Sequence, residues 1–148
     1  MDNEFRDVCD FHRKFGFTMN LIPVHLTKRR LRERLDFLRE ELDELSDGVE
    51  TQNMEMIADA LIDLVYVAKG TAIQLGLPWK ELWDDVQRAN MAKIPGRTHR
   101  NHNEDVTKPV GWIGPKTNSI LVRNGYQEND FLSDNGETID EAKCLGDL

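Results

Sequence analysis

The sequence predicts an all-α fold: a bundle of about four helices followed by an irregular C-terminal segment. Two observations carry this. Apolar residues recur at three- and four-residue spacing from Asn3 to Met91. After Pro95-Gly96 that periodicity stops, and Gly, Pro, Asn and Asp are scattered through 96–148. The chain therefore divides into a helical core, residues 1–95, and a loop-rich extension, residues 96–148. Part of the extension can act as a lid over a site, and its end reads as a disordered tail.

The elements follow in order. Helix one is expected over Asn3–Phe15, with Val8, Phe11 and Phe15 on one side and Gly16 stopping it. Pro23 keeps the stretch from Gly16 to His25 a loop. Thr27 is a fitting N-cap for helix two, whose packing stripe is Leu31, Leu35, Leu38, Leu42 and Leu45. That helix is expected to reach about Ser46, with Asp47-Gly48 as a turn. Asn53 can cap helix three, which Gly76 would end at C′. Pro78 then suits N1 of helix four, running to about Met91. A short extended piece is expected at Ser119–Val122.

Composition narrows the class. With 148 residues the chain can bury a core of its own. A net charge of −8 argues against a dedicated nucleic-acid binder. Cys9 and Cys144 match no zinc pattern and read as free thiols in a reducing cytoplasm. His99 and His102 lack the further ligands of a zinc site. The charged start MDNEFRD is not a signal peptide, and the apolar helix, with two acids, is not a membrane span.

That helix is the most informative stretch. Ile57, Leu61, Leu64, Val65 and Ala68 fill one side; Ile62, Tyr66 and Ile73 fill much of the other. A helix apolar all round is expected to be buried, and a partner subunit is a natural cover. Within it stand Asp59 and Asp63, on one face at i and i+4. Buried carboxylates need compensation. The preceding helix adds Glu40, Glu41 and Glu44. Hard divalent cations would relieve the repulsion, Mg²⁺ being the usual one. Solvation, capping or pairing with arginine remains the alternative. Helix two is also basic in its first half (Lys28, Arg29, Arg30, Arg32, Arg34), against the helix dipole. This is either a solvated face, a salt-bridged subunit contact or an attractor of anions.

Three ordered motifs carry a resemblance: REELDEL (Arg39–Leu45), ADALIDLVYVAKGTAIQLGL (Ala58–Leu77) and ANMAKI (Ala89–Ile94). Together they resemble the all-α nucleoside triphosphate pyrophosphohydrolases of the MazG type, especially short viral and bacterial forms. The resemblance spans roughly Asp7 to Pro115. The family pairs an EExxE with an ExxD on the next helix. Glu40, Glu41 and Glu44 match the first element, and Asp63 the closing aspartate. Ala60 stands where the ExxD glutamate would be, and Asp59 lies one residue earlier.

The resemblance implies a helical bundle active as a homodimer or homotetramer, located in the cytoplasm (the host's, for a viral member). It implies cleavage of a (d)NTP between the α and β phosphates. The first-choice substrate is dGTP or GTP, and the role is adjusting or cleaning a nucleotide pool. Two or more Mg²⁺ ions per site are implied, with Mn²⁺ able to substitute. Glu41, Glu44 and Asp63 would be metal ligands and Asp59 a fourth. Glu40 would be general base, so Glu40 and Glu41 form the catalytic set.

Lys69, Asn90, Lys93 and Lys108 are candidates for phosphate, although Lys69 can equally pair with an acid. Arg97 and Arg100 with Lys108 could make a basic lid. Asn20, Ile22, Pro23, His25 and Trp112 are candidates for the base. The expected partner is the nucleotide, with no nucleic acid and no membrane. Rival readings are a dUTP or modified-pyrimidine pyrophosphatase of the same fold, a phosphoribosyl-ATP hydrolase, and a non-catalytic helical dimerisation module.

Overall fold

The computed structural model describes residues 3–128. The expectations for Cys144 and for the end of the tail lie outside them. The described chain is mostly helical, with five helices and one two-strand ladder. None of its helices is long and apolar enough to cross a membrane. It forms two compact units, one of residues up to Leu77 together with the segment from Gly125, the other Pro78–Asn124.

The first unit holds α1 (Asn3–Phe15), α2 (Lys28–Glu50) and α3 (Met54–Gln74). α1 buries Phe5, Val8, Cys9 and His12, a helical stripe. Phe11 and Phe15, expected beside Val8, are instead largely exposed. Phe11 packs edge-on against Phe17 and Tyr66, with ring centroids 5.7 and 5.5 Å away. His12 takes the inward position because Gly70 of α3 leaves room. A Cβ at Gly70 would lie 3.0 Å from His12 Nε2 and 3.1 Å from Arg34 Nη2.

α2 and α3 form an antiparallel hairpin. Thr27 caps α2, its hydroxyl accepting from the Arg30 N–H at 3.2 Å. The expected turn at Asp47-Gly48 is a correction: the helix continues to Glu50. Gly48 is needed for close packing rather than for a turn. A Cβ there would sit 3.0 Å from Ile57 Cγ1 and 3.1 Å from Ile57 N. The chain reverses at Thr51–Asn53, where Gln52 adopts φ 52°, and the Asn53 carboxamide accepts from the Met56 N–H.

The loop after α1 has a structural task at the other end of α3. The last carbonyls of a helix lack partners inside it. Asn20 N–H donates to the Ile73 carbonyl (3.1 Å) and Val24 N–H to Leu75 (3.0 Å). The Asn20 carboxamide donates to the Gln74 carbonyl at 2.6 Å. Gly76 ends α3 at φ +66°, as its C′ position requires, and a Cβ there would lie 2.1 Å from the Ile22 carbonyl oxygen.

The second unit holds α4 (Trp79–Met91), β1 (Ile94–Pro95), β2 (Val106–Thr107) and α5 (Thr117–Arg123). Pro78 is the N-cap of α4 rather than its first residue. β1 and β2 pair antiparallel, Ile94 opposite Thr107 and Pro95 opposite Val106. The expected extended piece at Ser119–Val122 is instead part of α5. A short apolar run does not separate strand from helix. Helical spacing here buries Ile120 and carries Arg123 and Asn124 to Glu81 of α4.

Candidate active site

The register of the hairpin positions its acids. Gly48 meets Ile57 near the turn, and Arg34 meets Gly70 further along. Between these two contacts, Glu44 falls level with Ala60, and Glu41 level with Asp63. Arg34 fixes the far end by donating from Nε to Thr71 Oγ1 and from Nη2 to the Val67 carbonyl, both at 3.0 Å.

Glu41 is the centre of the cluster. It is half-buried, and its Oε2 is shut off from water with no hydrogen-bond partner. Its carboxyl is held above the usual range, first by burial and then by the charges of Asp63, Glu44 and Glu40. Carboxylates of both helices thus act on one another. A buried acceptor left without a donor costs about 1–3 kcal/mol. A hard cation would satisfy that oxygen and cancel the repulsion together. All five acids are oxygen donors of the kind Mg²⁺ takes, so the residues fit the ion. Among the described residues, no three acidic, histidine or cysteine side chains already converge in metal-binding geometry. A bound ion would have to draw them in.

The burial expected of Asp59 and Asp63 is corrected: both are exposed in the single chain. α3 is covered only in part. Ile73 is buried and Tyr66 is half-buried, packing edge-on against Phe11 of α1. Leu61, Ile62 and Val65 are left open, Ile62 at 66% exposure. The acids share the open part of the helix.

Other candidates fall as follows. Lys69 is buried and gives its ammonium to Glu4 at 2.7 Å. This is the acid-pairing alternative, and it takes Lys69 out of the phosphate set. Asn20 holds the end of α3, and the Ile22 carbonyl lies close to Gly76 there. That end lies about 15 Å along the helix from Asp63, ten residues at 1.5 Å each. His25 Nε2 is 2.9 Å from the Tyr126 hydroxyl. Pro23 is buried.

In the second unit, Arg100 is bound to Asp105 at 2.6 Å and Arg97 to Asn101 and Asn103, which argues against a free basic lid. Asp105 also accepts from the Thr98 hydroxyl, and its carboxyl is held far below the usual range by these bonds. Lys93 donates to Asn90 Oδ1 at 2.9 Å. Lys93 and Lys108 both lie over the Trp112 ring, at 5.7 and 4.8 Å from its centroid.

Sequence reasoning missed Arg34 and His12. Arg34 lies between Leu31 and Leu38 at i+3 and i−4, so the apolar stripe already marked it as inward. Burial holds the His12 imidazole below its ordinary value. Its Nδ1 is 3.2 Å from the Thr18 carbonyl, which can only accept, so Nδ1 carries the proton.

The helical hairpin thus sets Glu41 of the EExxE on α2 against Asp63 of α3. The chain belongs to the phosphoribosyl-ATP pyrophosphohydrolase family, whose model matches residues 8–90, more than half of the sequence. It is also similar to an uncharacterized protein of Acanthamoeba polyphaga mimivirus, 32% identical over 128 residues. The match covers 78% of this chain and 51% of that protein. The chain thus spans about half the length of that curated relative.

Proposed function

We propose that this chain is a pyrophosphohydrolase that cleaves a nucleoside triphosphate to the monophosphate and pyrophosphate, with dGTP or GTP as first-choice substrate. The observation that carries the reading is Glu41: a carboxylate with an orphaned buried oxygen, facing Asp63 across an antiparallel hairpin. Family membership supports the reaction class. Glu41, Glu44 and Asp63, with Asp59 as a fourth, would hold Mg²⁺ or Mn²⁺. When bound, the ions neutralise phosphate oxygens and lower the pKa of water for attack.

The chain's own residues do the rest. Glu40, exposed beside the cluster, takes the proton of the attacking water. Lys93 and Lys108 are the residues that the sequence offers for phosphate, and Lys93 donates to Asn90 Oδ1. Leu61, Ile62 and Val65 form the face that a second copy would cover, supporting a homo-oligomer. A nucleotide-pool role in the cytoplasm follows from such an activity.

The test is a screen of the common (d)NTPs with pyrophosphate detection, with Mg²⁺ and with a chelator. Cation-dependent release of pyrophosphate is expected, fastest with the guanine nucleotides. Phosphoribosyl-ATP belongs in the same screen, because the matched family is named for it. Turnover of neither class, or turnover indifferent to chelation, would refute the reading. In the former case the alternative of a non-catalytic helical module would gain.

A further inference from the structure

Residue 34 falls on the inward stripe of α2, between Leu31 and Leu38, where a leucine would simply add apolar surface to the seam. An arginine stands there instead. It is half-buried, and burial followed by the charge of Arg30 holds its guanidinium below its ordinary value. Among the described residues no carboxylate pairs with it. A cation drawn out of water without a counter-ion is unfavourable by itself. Its place in the seam therefore needs another reason.

The guanidinium is fixed on several sides. Its Nε donates to Thr71 Oγ1 and its Nη2 to the Val67 carbonyl, both at 3.0 Å. The Thr71 hydroxyl donates to the same Val67 carbonyl at 2.8 Å, which closes the network. The Phe37 ring centroid lies 5.3 Å from the guanidinium carbon. Gly70 leaves the space, since a Cβ there would lie 3.1 Å from Nη2. Val67 and Thr71 are one turn apart on α3. A rigid planar fork that meets both acceptors admits one translation and one rotation of the two helices. A lysine, with a point donor on a flexible stem, would not select them.

The acids share this geometry. Glu41 follows Arg34 by seven residues, and Asp63 precedes Gly70 by seven. Seven residues are two turns, so the acids lie on the same two helix faces as the clasp, about 10.5 Å along. The charge of Asp63 acts on Glu41 across the hairpin, and that repulsion pushes the helices apart. At the turn end the short connection through Thr51–Asn53 resists it, with the Asn53 N–H donating to the Gly48 carbonyl at 2.8 Å. Towards the open end Arg34 ties α2 to α3 directly.

We propose that Arg34 is a positioning residue for the carboxylate site: its two bonds to α3 set the register that puts Glu41 opposite Asp63, and so set the affinity of the site for a divalent cation. It acts through the acids and not on the substrate. The inference rests on the reading of Glu41, Glu44 and Asp63 as metal ligands.

The experiment is calorimetric titration of the full chain with Mn²⁺ in the absence of nucleotide, beside thermal melts of each variant. Arg34→Lys keeps the charge and loses the fork. It should weaken Mn²⁺ binding about tenfold, the low end for a residue that orients metal ligands. Thr71→Val removes one acceptor at nearly constant shape and should weaken binding about threefold. Thr71→Ser keeps the oxygen and should stay within about twofold of wild type. Adding Thr71→Val to Arg34→Lys should change little more, because both act on one network. Val8→Ala is the control. It opens a cavity at a buried position of α1 and lowers the melting temperature, but makes none of these bonds. Its Mn²⁺ affinity, measured well below its melting temperature, should match wild type.

Wild-type affinity in Arg34→Lys would overturn the positioning role and leave the metal site in place. So would a loss in Val8→Ala as large as that in Arg34→Lys. Wild-type protein that binds no Mn²⁺ would overturn the metal reading and the positioning role together. If Arg34→Lys does not fold, Thr71→Val against Thr71→Ser carries the comparison, and equal affinities in those two would refute the role.

Discussion

Glu41→Gln should make the metal-free protein more stable while abolishing its activity. The substitution keeps the side chain's shape and removes one of the charges gathered around Asp63, Glu44 and Glu40. Relief of exposed like-charge contacts is worth a few tenths of a kcal/mol each. The buried, partnerless Oε2 adds to this, since an amide in its place offers N–H donors to the neighbouring carboxylates. A net gain of about 1 kcal/mol is reasonable, which raises the melting temperature by about 2–4 °C for a chain of this size. The sign of the pH dependence follows. A carboxyl held above its unfolded value favours folding at low pH, and that contribution fades as pH rises through the folded value. The gain from Glu41→Gln should therefore grow with pH and vanish in acid. Thermal melts in a chelator across that range, beside a pyrophosphate-release assay with Mg²⁺, make the measurement. The protecting effect of added Mg²⁺ on wild-type melting should also be lost. Unchanged activity, or a lower apo melting temperature at neutral pH, would refute the idea that Glu41 is a strained ligand awaiting a cation.

Other outcomes follow from the same geometry. Glu44→Gln and Asp63→Asn should each abolish turnover in a folded protein, whereas Asp59→Ala should reduce it less; steady-state kinetics with circular dichroism will tell. The products should be monophosphate and pyrophosphate, and a diphosphate peak on chromatography of a dGTP reaction would contradict this. Ile62→Glu should split an oligomer seen by light scattering at micromolar concentration; a wild type with a mass near 17.1 kDa would remove the basis for that expectation. Stability should fall as pH drops through the ordinary histidine range, because burial holds His12 neutral. His12→Gln should flatten that slope in pH-dependent melts.

The fold was legible where one physical cause set each boundary. Thr27, Asn53 and Gly76 act through local backbone hydrogen bonds and a positive φ, which residue type alone signals. Gly48 misled because glycine has two uses. Its place between Asp47 and Val49 resembles a turn, yet it is there to let α3 approach, and only the partner helix reveals that. Residues Ser119–Val122 misled for a related reason. The β-branched Ile120 and Val122 fit a strand, but the contacts that decide the matter come from α4.

The acids were legible as a pattern, but their surroundings were not. Periodicity shows that α3 is apolar all round, without saying which chain covers each side. In the structure Phe11 of α1 packs on Tyr66 and Ile73 is buried, while Leu61, Ile62 and Val65 stay open, and the aspartates are exposed rather than buried. The departure at Ala60 then has a physical meaning. Ala60 is 0% exposed and level with Glu44 across the hairpin. A glutamate there would have to bury its carboxylate against α2 or push the helices apart. Moving the acid one residue back to Asp59 turns it by about 100° around the helix, out of the packed seam and onto the open side. The helices can then keep the close approach that Gly48 and Gly70 allow, and the second acid of α3 stands on the solvent side. That is why Asp59 should matter less than Asp63, which stands opposite the orphaned oxygen of Glu41.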